Sequence, residues 1–249
     1  MKLPCHAGWR TFLSVGFFVT TIIILAAVAP EGWAAQIPFE KAKIIFEFNS
    51  TAQDLGIQVS LDAEPWKEIQ IVDPKGRTIL EVEGKGRLNK FGLTELFVES
   101  NEPNFAEMSK DEILARFPAG VYKFSGKTVE GDKLVGTATL THNIRDGPVI
   151  VSPLANNVVD PNNTRIRWNA VTTPPGINIV GYQVIVEQVD NDQLGAAPRI
   201  FDVKLPGTRT SVMVPPEFLE AGTQYIFEVL AIEVGGNQTI SEGGPFNTP

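Results

Sequence analysis

Apolar and polar residues alternate along most of the chain from residue 37 onward, and this pattern strongly constrains the fold. Successive side chains of a strand point to opposite faces, so Ile44, Phe46 and Phe48 share one face and their neighbours share the other. Turn-forming residues interrupt the pattern about every 8–12 positions, a spacing typical of β-sandwiches. The sequence therefore predicts an all-β protein with two tandem β-sandwich domains, residues 36–145 and residues 146–249.

The N-terminal segment departs from this alternation. Lys2 and Arg10 precede an uncharged, mostly apolar stretch at residues 12–29, and Ala34 ends a small-x-small sequence suited to signal peptidase. We therefore interpret residues 1–34 as a signal peptide that directs export. An uncleaved membrane anchor is the alternative, because the apolar stretch reaches the lower limit of a spanning helix.

Removal of that segment would leave a mature chain without cysteine, since Cys5 is the only one. An exported chain without disulfides favours a bacterial periplasm or cell surface, or secretion from the cell. Loss of Lys2, Arg10 and Glu31 leaves 19 basic and 28 acidic residues, a net charge of −9. Such a surface argues against binding to nucleic acid, and we expect no membrane contact beyond the signal segment.

The sequence pattern of the first domain predicts about seven strands and one short helix. Ser109 and Glu112 form a capping-box sequence, so a helical crossover is predicted at about residues 109–116. Strands are predicted at residues 44–48, 57–61, 68–72, 78–82, 93–98, 121–129 and 134–142.

The second domain resembles the fibronectin type III family over about 100 residues. The sequence TRIRW at residues 164–168 is similar to the family's B strand and ends on Trp168, and residues 179–186 are similar to its C strand with Tyr182. The sequence LEAGTQYIFEVLA at residues 219–231 places Leu219 before a small turn and Tyr225 at the start of strand F. The resemblance implies a buried tryptophan and a tyrosine corner, in which the hydroxyl of Tyr225 bonds to upstream backbone.

The first domain contains a similar phrase, FPAGVYKF at residues 117–124, with Tyr122 in the place of the corner tyrosine. We infer a related immunoglobulin-like sandwich, although the similarity can also arise by chance. Tyr182 is not expected to be a corner residue.

Few residues suit catalysis or cofactor binding. His142 is the only histidine outside the predicted signal peptide, and its polar surroundings at a strand end indicate an exposed or locally bonded side chain. The turn Asp190-Asn191-Asp192 could hold calcium, but turn chemistry explains the same residues. The sequence therefore predicts no enzyme activity, no cofactor and no metal.

Two functions remain open. The leading hypothesis is an exported, non-enzymatic binding or spacer protein of the cell envelope that presents sandwich loops or edge strands to a protein partner. The alternative is a carbohydrate-binding accessory protein that contacts a polysaccharide through a patch at Trp66, Asp62, Glu64 and Glu68. An enzyme of unfamiliar type is a distant third. Glycosylation sequons at Asn49, Asn162 and Asn237 would matter only in a eukaryotic secretory route.

Overall fold

Strands dominate the computed structural model, which describes residues 35–176, 178–189 and 199–249. The predicted signal peptide and the candidate calcium turn at Asp190, Asn191 and Asp192 lie outside the described residues. No helix within the described ranges has the length and hydrophobicity that crossing a bilayer would require.

The first half contains seven strands and two short helices, which confirms its all-β class. The strands are β1 (Gln36–Pro38), β2 (Lys41–Asn49), β3 (Asp54–Val72), β4 (Thr78–Glu83), β5 (Leu93–Glu99), β6 (Gly120–Thr128) and β7 (Lys133–Leu140). The helices are α1 (Arg87–Phe91) and α2 (Lys110–Arg116). Helix α2 is the predicted crossover, and its capping box is formed by Ser109 and Glu112. Helix α1 was not predicted.

Strand β3 is 19 residues long, whereas the sequence pattern predicted two strands separated by a loop. Its first part pairs with β2 and β5, and its last part pairs with β4 and β6. The register with β5 shifts between Asp62 and Trp66, and Pro65 lies in this interruption, where no ladder N–H is needed. One strand therefore runs through both layers of the sandwich, as bent strands do at sheet corners.

A single core fills the space between these layers. Its fully buried members include Phe46 from β2, Trp66 from β3 and Tyr122 from β6. Helix α2 closes one side of the same core through Ile113, which is 3% exposed.

The second half contains seven strands in two separate sheets. The strands are β8 (Ile150–Ser152), β9 (Arg165–Trp168), β10 (Ile179–Gln188), β11 (Ile200–Pro206), β12 (Ser211–Met213), β13 (Gln224–Glu233) and β14 (Gln238–Asn247). The order is β12-β9-β8 in the small sheet and β11-β10-β13-β14 in the large one. A second hydrophobic core, distinct from the first, lies between them and includes Trp168 and Val229.

The two halves share one sheet, which the prediction of tandem sandwiches did not include. The first residues of β14 pair in parallel with the end of β2, with Gln238 opposite Glu47 and Ile240 opposite Asn49. This pairing produces an eleven-stranded sheet that spans both halves. Ala34–Pro249 accordingly form one compact unit.

Candidate functional site

The predicted ligand patch around Trp66 is not assembled at the surface. Trp66 is 0% exposed because the register of β3 shifts between Asp62 and Trp66 and again between Trp66 and Glu68, which breaks the simple alternation and turns the ring into the core. Its ring therefore cannot stack on a sugar. The carboxylates of Glu64 and Glu68 are exposed and that of Asp62 is partly buried.

Both predicted corner tyrosines are buried, and their hydroxyls bond to upstream backbone. The hydroxyl of Tyr225 accepts the backbone N–H of Glu220 at 2.7 Å. The hydroxyl of Tyr122 donates to the carbonyl of Pro118 at 3.1 Å. A buried tyrosine bonded to upstream backbone therefore lies at the start of a late strand in each half.

The expectation that Tyr182 differs from these two is wrong. Its hydroxyl accepts the backbone N–H of Val171 at 2.9 Å, and its ring packs against Trp168 with centroids 5.2 Å apart. Trp168 is 2% exposed and Leu219 is 8% exposed, so both lie in the second core. Alternation in the C strand predicted that Tyr182 is buried. It did not predict that the loop containing Val171 directs the Val171 N–H toward the Tyr182 hydroxyl.

Asn237 is the central polar residue of the junction between the halves, and sequence reasoning missed this role. It is 3% exposed, and its Oδ1 accepts the backbone N–H of Phe46 at 2.9 Å. Its Nδ2 donates to the carbonyls of Thr141 and Asn143 at 3.0 and 3.1 Å. One side chain of the second half thus satisfies three backbone groups of the first, so a glycan on this amide is incompatible with the fold.

Further hydrogen bonds cross the same junction. Ser50 Oγ donates to the carbonyl of Ile240 at 2.6 Å, and Thr239 Oγ1 donates to the carbonyl of Arg145 at 3.0 Å. Gly147, at the predicted domain boundary, packs so closely that a Cβ there would lie 2.0 Å from Ser50 Oγ. The connection between the halves is therefore closely packed and hydrogen-bonded at several points, in contrast to an exposed linker, although Nε and Nη1 of the buried Arg145 have no partner.

The outer side of the common sheet forms one continuous surface, which we call the shared face. Both cores contact the opposite side: Phe48 of the first core is paired with Thr239, and Thr239 is paired in turn with Ala231 of the second core. Strands β5, β3, β2, β14, β13, β10 and β11 contribute to the shared face. Carboxylates outnumber ammonium groups on it; its charged residues are Lys41, Lys43, Glu47, Asp54, Asp62, Glu95, Glu99, Glu187, Asp202, Lys204, Glu228 and Glu242.

Two glutamates at the first-half end of this face have strongly perturbed acidity. Burial, together with the charges of Glu102 and Glu99, raises the pKa of Glu47 to about 7. Burial and the charges of Glu99 and Asp54 raise the pKa of Glu102 to about 7. Burial also lowers the pKa of the Lys43 ammonium. The charged forms of these carboxyls are therefore poorly compensated by the rest of the chain.

His142 is exposed, and its Nε2 lies 2.9 Å from the carbonyl oxygen of Phe117. Its ring also meets that of Phe46 edge-on, with centroids 5.7 Å apart. These are the local contacts of a structural histidine at a strand end.

The family model of the fibronectin type III domain matches residues 152–246. Among solved structures, the chain is similar to the FN1–FN3 domains of chicken CNTN1, with 10% identity and a TM-score of 0.37 over 85% of this chain. The chain spans 63% of the length of that structure. It is also similar to the third fibronectin III domain of the human KIAA0343 protein, with 23% identity and a TM-score of 0.29, covering 44% of this chain and 89% of that one.

A third similar structure is the BSP domain of a biofilm associated protein, with 16% identity and a TM-score of 0.27. The match covers 84% of this chain and 29% of that one. No curated protein sequence matches the chain.

Proposed function

We propose that this chain, which contains a fibronectin type III domain at residues 152–246, is a non-enzymatic, exported protein of the cell envelope. It acts as a spacer of fixed geometry and presents sandwich loops or edge strands to a protein partner. The observation that carries the proposal is the buried junction, in which Asn237 joins β14 of one half to backbone of the other. Domains of this family are typically non-catalytic scaffolds for binding, and this support for the proposal is an analogy at the level of the fold.

A spacer transmits position only if its parts do not rotate against each other. Independent domains meet through polar, poorly packed interfaces and move relative to one another. Here the interface contains paired strands and a buried amide with all its hydrogen-bonding groups engaged, so rotation would break a sheet ladder and expose several polar groups. We therefore expect the two halves to behave as one rigid body.

Edge strands supply the binding element in this proposal. Within the described ranges, β11 pairs only with β10, and β5 pairs only with β3. Each leaves a row of backbone groups along one side, and each exposes a large apolar side chain, Ile200 on β11 and Phe97 on β5. Unpaired edges of this kind accept an added strand from a protein partner.

The spacer is tested by measuring distances between the halves with paired spin labels. Cys5→Ser removes the native thiol, and Lys75→Cys with Arg209→Cys places one label on an exposed site of each half. We expect a single narrow distance distribution. Asn237→Ala should broaden it, whereas Asn162→Ala, at an exposed asparagine of the second half, should leave it unchanged. A broad distribution in the parent chain would contradict the proposed rigidity.

The partner is tested by affinity capture from cell-envelope extracts, with Phe97→Ser and Ile200→Ser as matched edge variants. We expect a protein to be retained by the parent chain and lost from one of the two variants. Retention of polysaccharide in place of protein would contradict the proposal.

A further inference from the structure

Three glutamates converge on the shared face beside the junction. Glu47 lies on β2, Glu99 ends β5, and Glu102 follows in the next loop. One carboxylate oxygen from each lies within 4.8 Å of the others. Three like charges at this separation repel one another unless something between them compensates.

The three side chains can come together because Gly56, beside Glu47 and Glu102, has no side chain of its own. Glu47 pairs with Gly56 of β3, and a Cβ on Gly56 would lie 2.6 Å from both Cγ and Oε1 of Glu102. Glu102 therefore extends across the bare backbone of Gly56 toward Glu47. Glu99 reaches the same point from the other side, opposite Gln58.

The chain itself provides little compensation for this charge. Glu47 leaves only 9% of its surface exposed and forms no ion pair within the described residues. The amide of Gln58 donates to Glu99 Oε1 at 3.0 Å and also lowers the pKa of Glu47 through a hydrogen bond, so one neutral amide serves two carboxylates. Glu102 Oε1 and the neighbouring Asp54 Oδ1 are buried without a hydrogen-bond partner. Buried carboxylates in this situation are normally protonated or coordinate a metal ion.

We propose that Glu47, Glu99 and Glu102 bind one calcium ion. All donors are hard oxygens, which calcium prefers, and its flexible coordination by six to eight oxygens tolerates three carboxylates completed by water. Magnesium fits less well, because it requires a near-ideal octahedron and retains more of its own water.

The raised pKa values of Glu47 and Glu102, which burial and mutual repulsion produce, agree with this assignment. A divalent cation would replace the protons that these groups otherwise bind and would favour their charged forms. Lys43, on the same side of β2, offers a charge nearby, but it makes no ion pair with Glu47 within the described residues.

The position of the site links it to the junction. Glu47 lies opposite Gln238 of β14, so the same residue of β2 borders both the proposed ion and the second half. A bound ion would tie β2 to the end of β5 and stiffen the shared face next to the junction. Only the expected affinity depends on the proposed function, because exported modules bind calcium with a Kd of about 10⁻⁴ to 10⁻³ M.

Calorimetric titration of the full chain with calcium, and in parallel with magnesium, tests the proposal. We expect one calcium per chain in that affinity range, weaker magnesium binding, and a calcium-dependent rise in Tm. Glu47→Gln should weaken calcium binding at least about tenfold. The same variant should raise the Tm of the calcium-free protein, since it removes one of the repelling charges, and this rise excludes misfolding as the cause. Glu95→Gln, at an exposed carboxylate of the same face, should change neither property.

Several results would overturn the assignment. One is an absence of binding up to about 10 mM calcium, well above the expected range. Another is calcium binding of equal affinity in the parent chain and in Glu47→Gln. If Glu47→Gln lowers the calcium-free Tm, the exposed Glu99→Gln replaces it, and unchanged calcium affinity in that variant is equally contradictory. These outcomes are independent of the spin-label distances and the captured partner that test the proposed function.

Discussion

Each half encloses one hydrophobic core between two layers of strands, but the strands of the two halves are arranged differently. In the second half each strand belongs to one layer, and the layers meet through side chains such as Trp168 and Tyr182. In the first half β3 runs through both layers, so the layers are also connected by the backbone of one strand. Both halves nevertheless begin a late strand with a buried tyrosine bonded to upstream backbone. The corner is therefore compatible with more than one strand arrangement, and the continuity of β3 distinguishes the first half.

The largest expected effects come from the central tryptophan of each half. Trp66→Ala and Trp168→Ala should each lower the free energy of unfolding by about 3–5 kcal/mol, because both rings are buried and their removal leaves a cavity. Chemical denaturation measures both losses, and the Trp→Phe variants should lose less. A negligible loss for Trp66→Ala would contradict its place at the bend of β3 and would restore a surface role for its ring.

Asn237→Ala should lower the free energy of unfolding by about 2–4 kcal/mol. It leaves the N–H of Phe46 and the carbonyls of Thr141 and Asn143 without their partner in a buried site. Asn162→Ala is the control, because that asparagine is exposed and its amide bonds only to neighbouring Asp160. Equal, small losses in both variants would show that the junction contributes little.

Tyr→Phe at each buried tyrosine should cost about 1–3 kcal/mol, since the ring is kept and one hydrogen bond is lost. The changes at Tyr225 and Tyr182 each leave a backbone N–H unpaired, on Glu220 and Val171. The change at Tyr122 leaves only a carbonyl, and a carbonyl tolerates a missing partner better than an N–H does. Thermal denaturation should therefore show the smallest loss at Tyr122. The reverse order would contradict the shared corner.

The pH dependence of stability should depend strongly on Glu47 and Glu102 beside the junction. The pKa of Glu47 and of Glu102 is about 7 in the folded chain and near about 4.3 when unfolded. Their protonation favours the folded state, so this contribution is fully present below about pH 4.3 and is lost as the pH rises through about 7. Without divalent cations, stability should fall by about 1–2 kcal/mol between pH 5 and pH 8, an amount reduced by partial solvent exposure.

Glu47→Gln should flatten this profile, as measured by denaturation at each pH. Glu95→Gln, at an exposed carboxylate of β5, should leave the profile nearly parallel to that of the parent chain. An unchanged slope in Glu47→Gln would mean that its carboxyl is not the titrating group.

Local sequence patterns predict much of the second half. Alternation, the turn before Tyr225 and the position of Trp168 are all short-range features, and β9, β10 and β13 form where they predict, whereas β11 and β14 were not predicted. The helix at residues 110–116 was predicted for the same reason, because its capping box is complete within four residues. Strand β3 was divided in error, since Pro65 resembles a strand breaker and its place in a gap of the ladder depends on tertiary pairing.

The junction and the glutamate cluster could not be predicted from local sequence patterns. Asn237 bonds to Phe46 across 191 positions, and the three parallel pairs between β14 and β2 leave no local signature. Glu102 lies outside the strand pattern and reaches Glu47 only because Gly56 has no side chain. Trp66 was placed at the surface for a related reason, because its inward direction depends on the register shifts of β3 on either side of it.

Scanning calorimetry of the full chain shows whether the junction makes the two halves one cooperative unit. We expect a single transition with equal calorimetric and van't Hoff enthalpies, which Trp66→Ala and Trp168→Ala both move to lower temperature without splitting it. Two resolved transitions, with each variant shifting only the one that belongs to its own half, would contradict the claim and would show that the sandwiches fold independently on either side of Gly147.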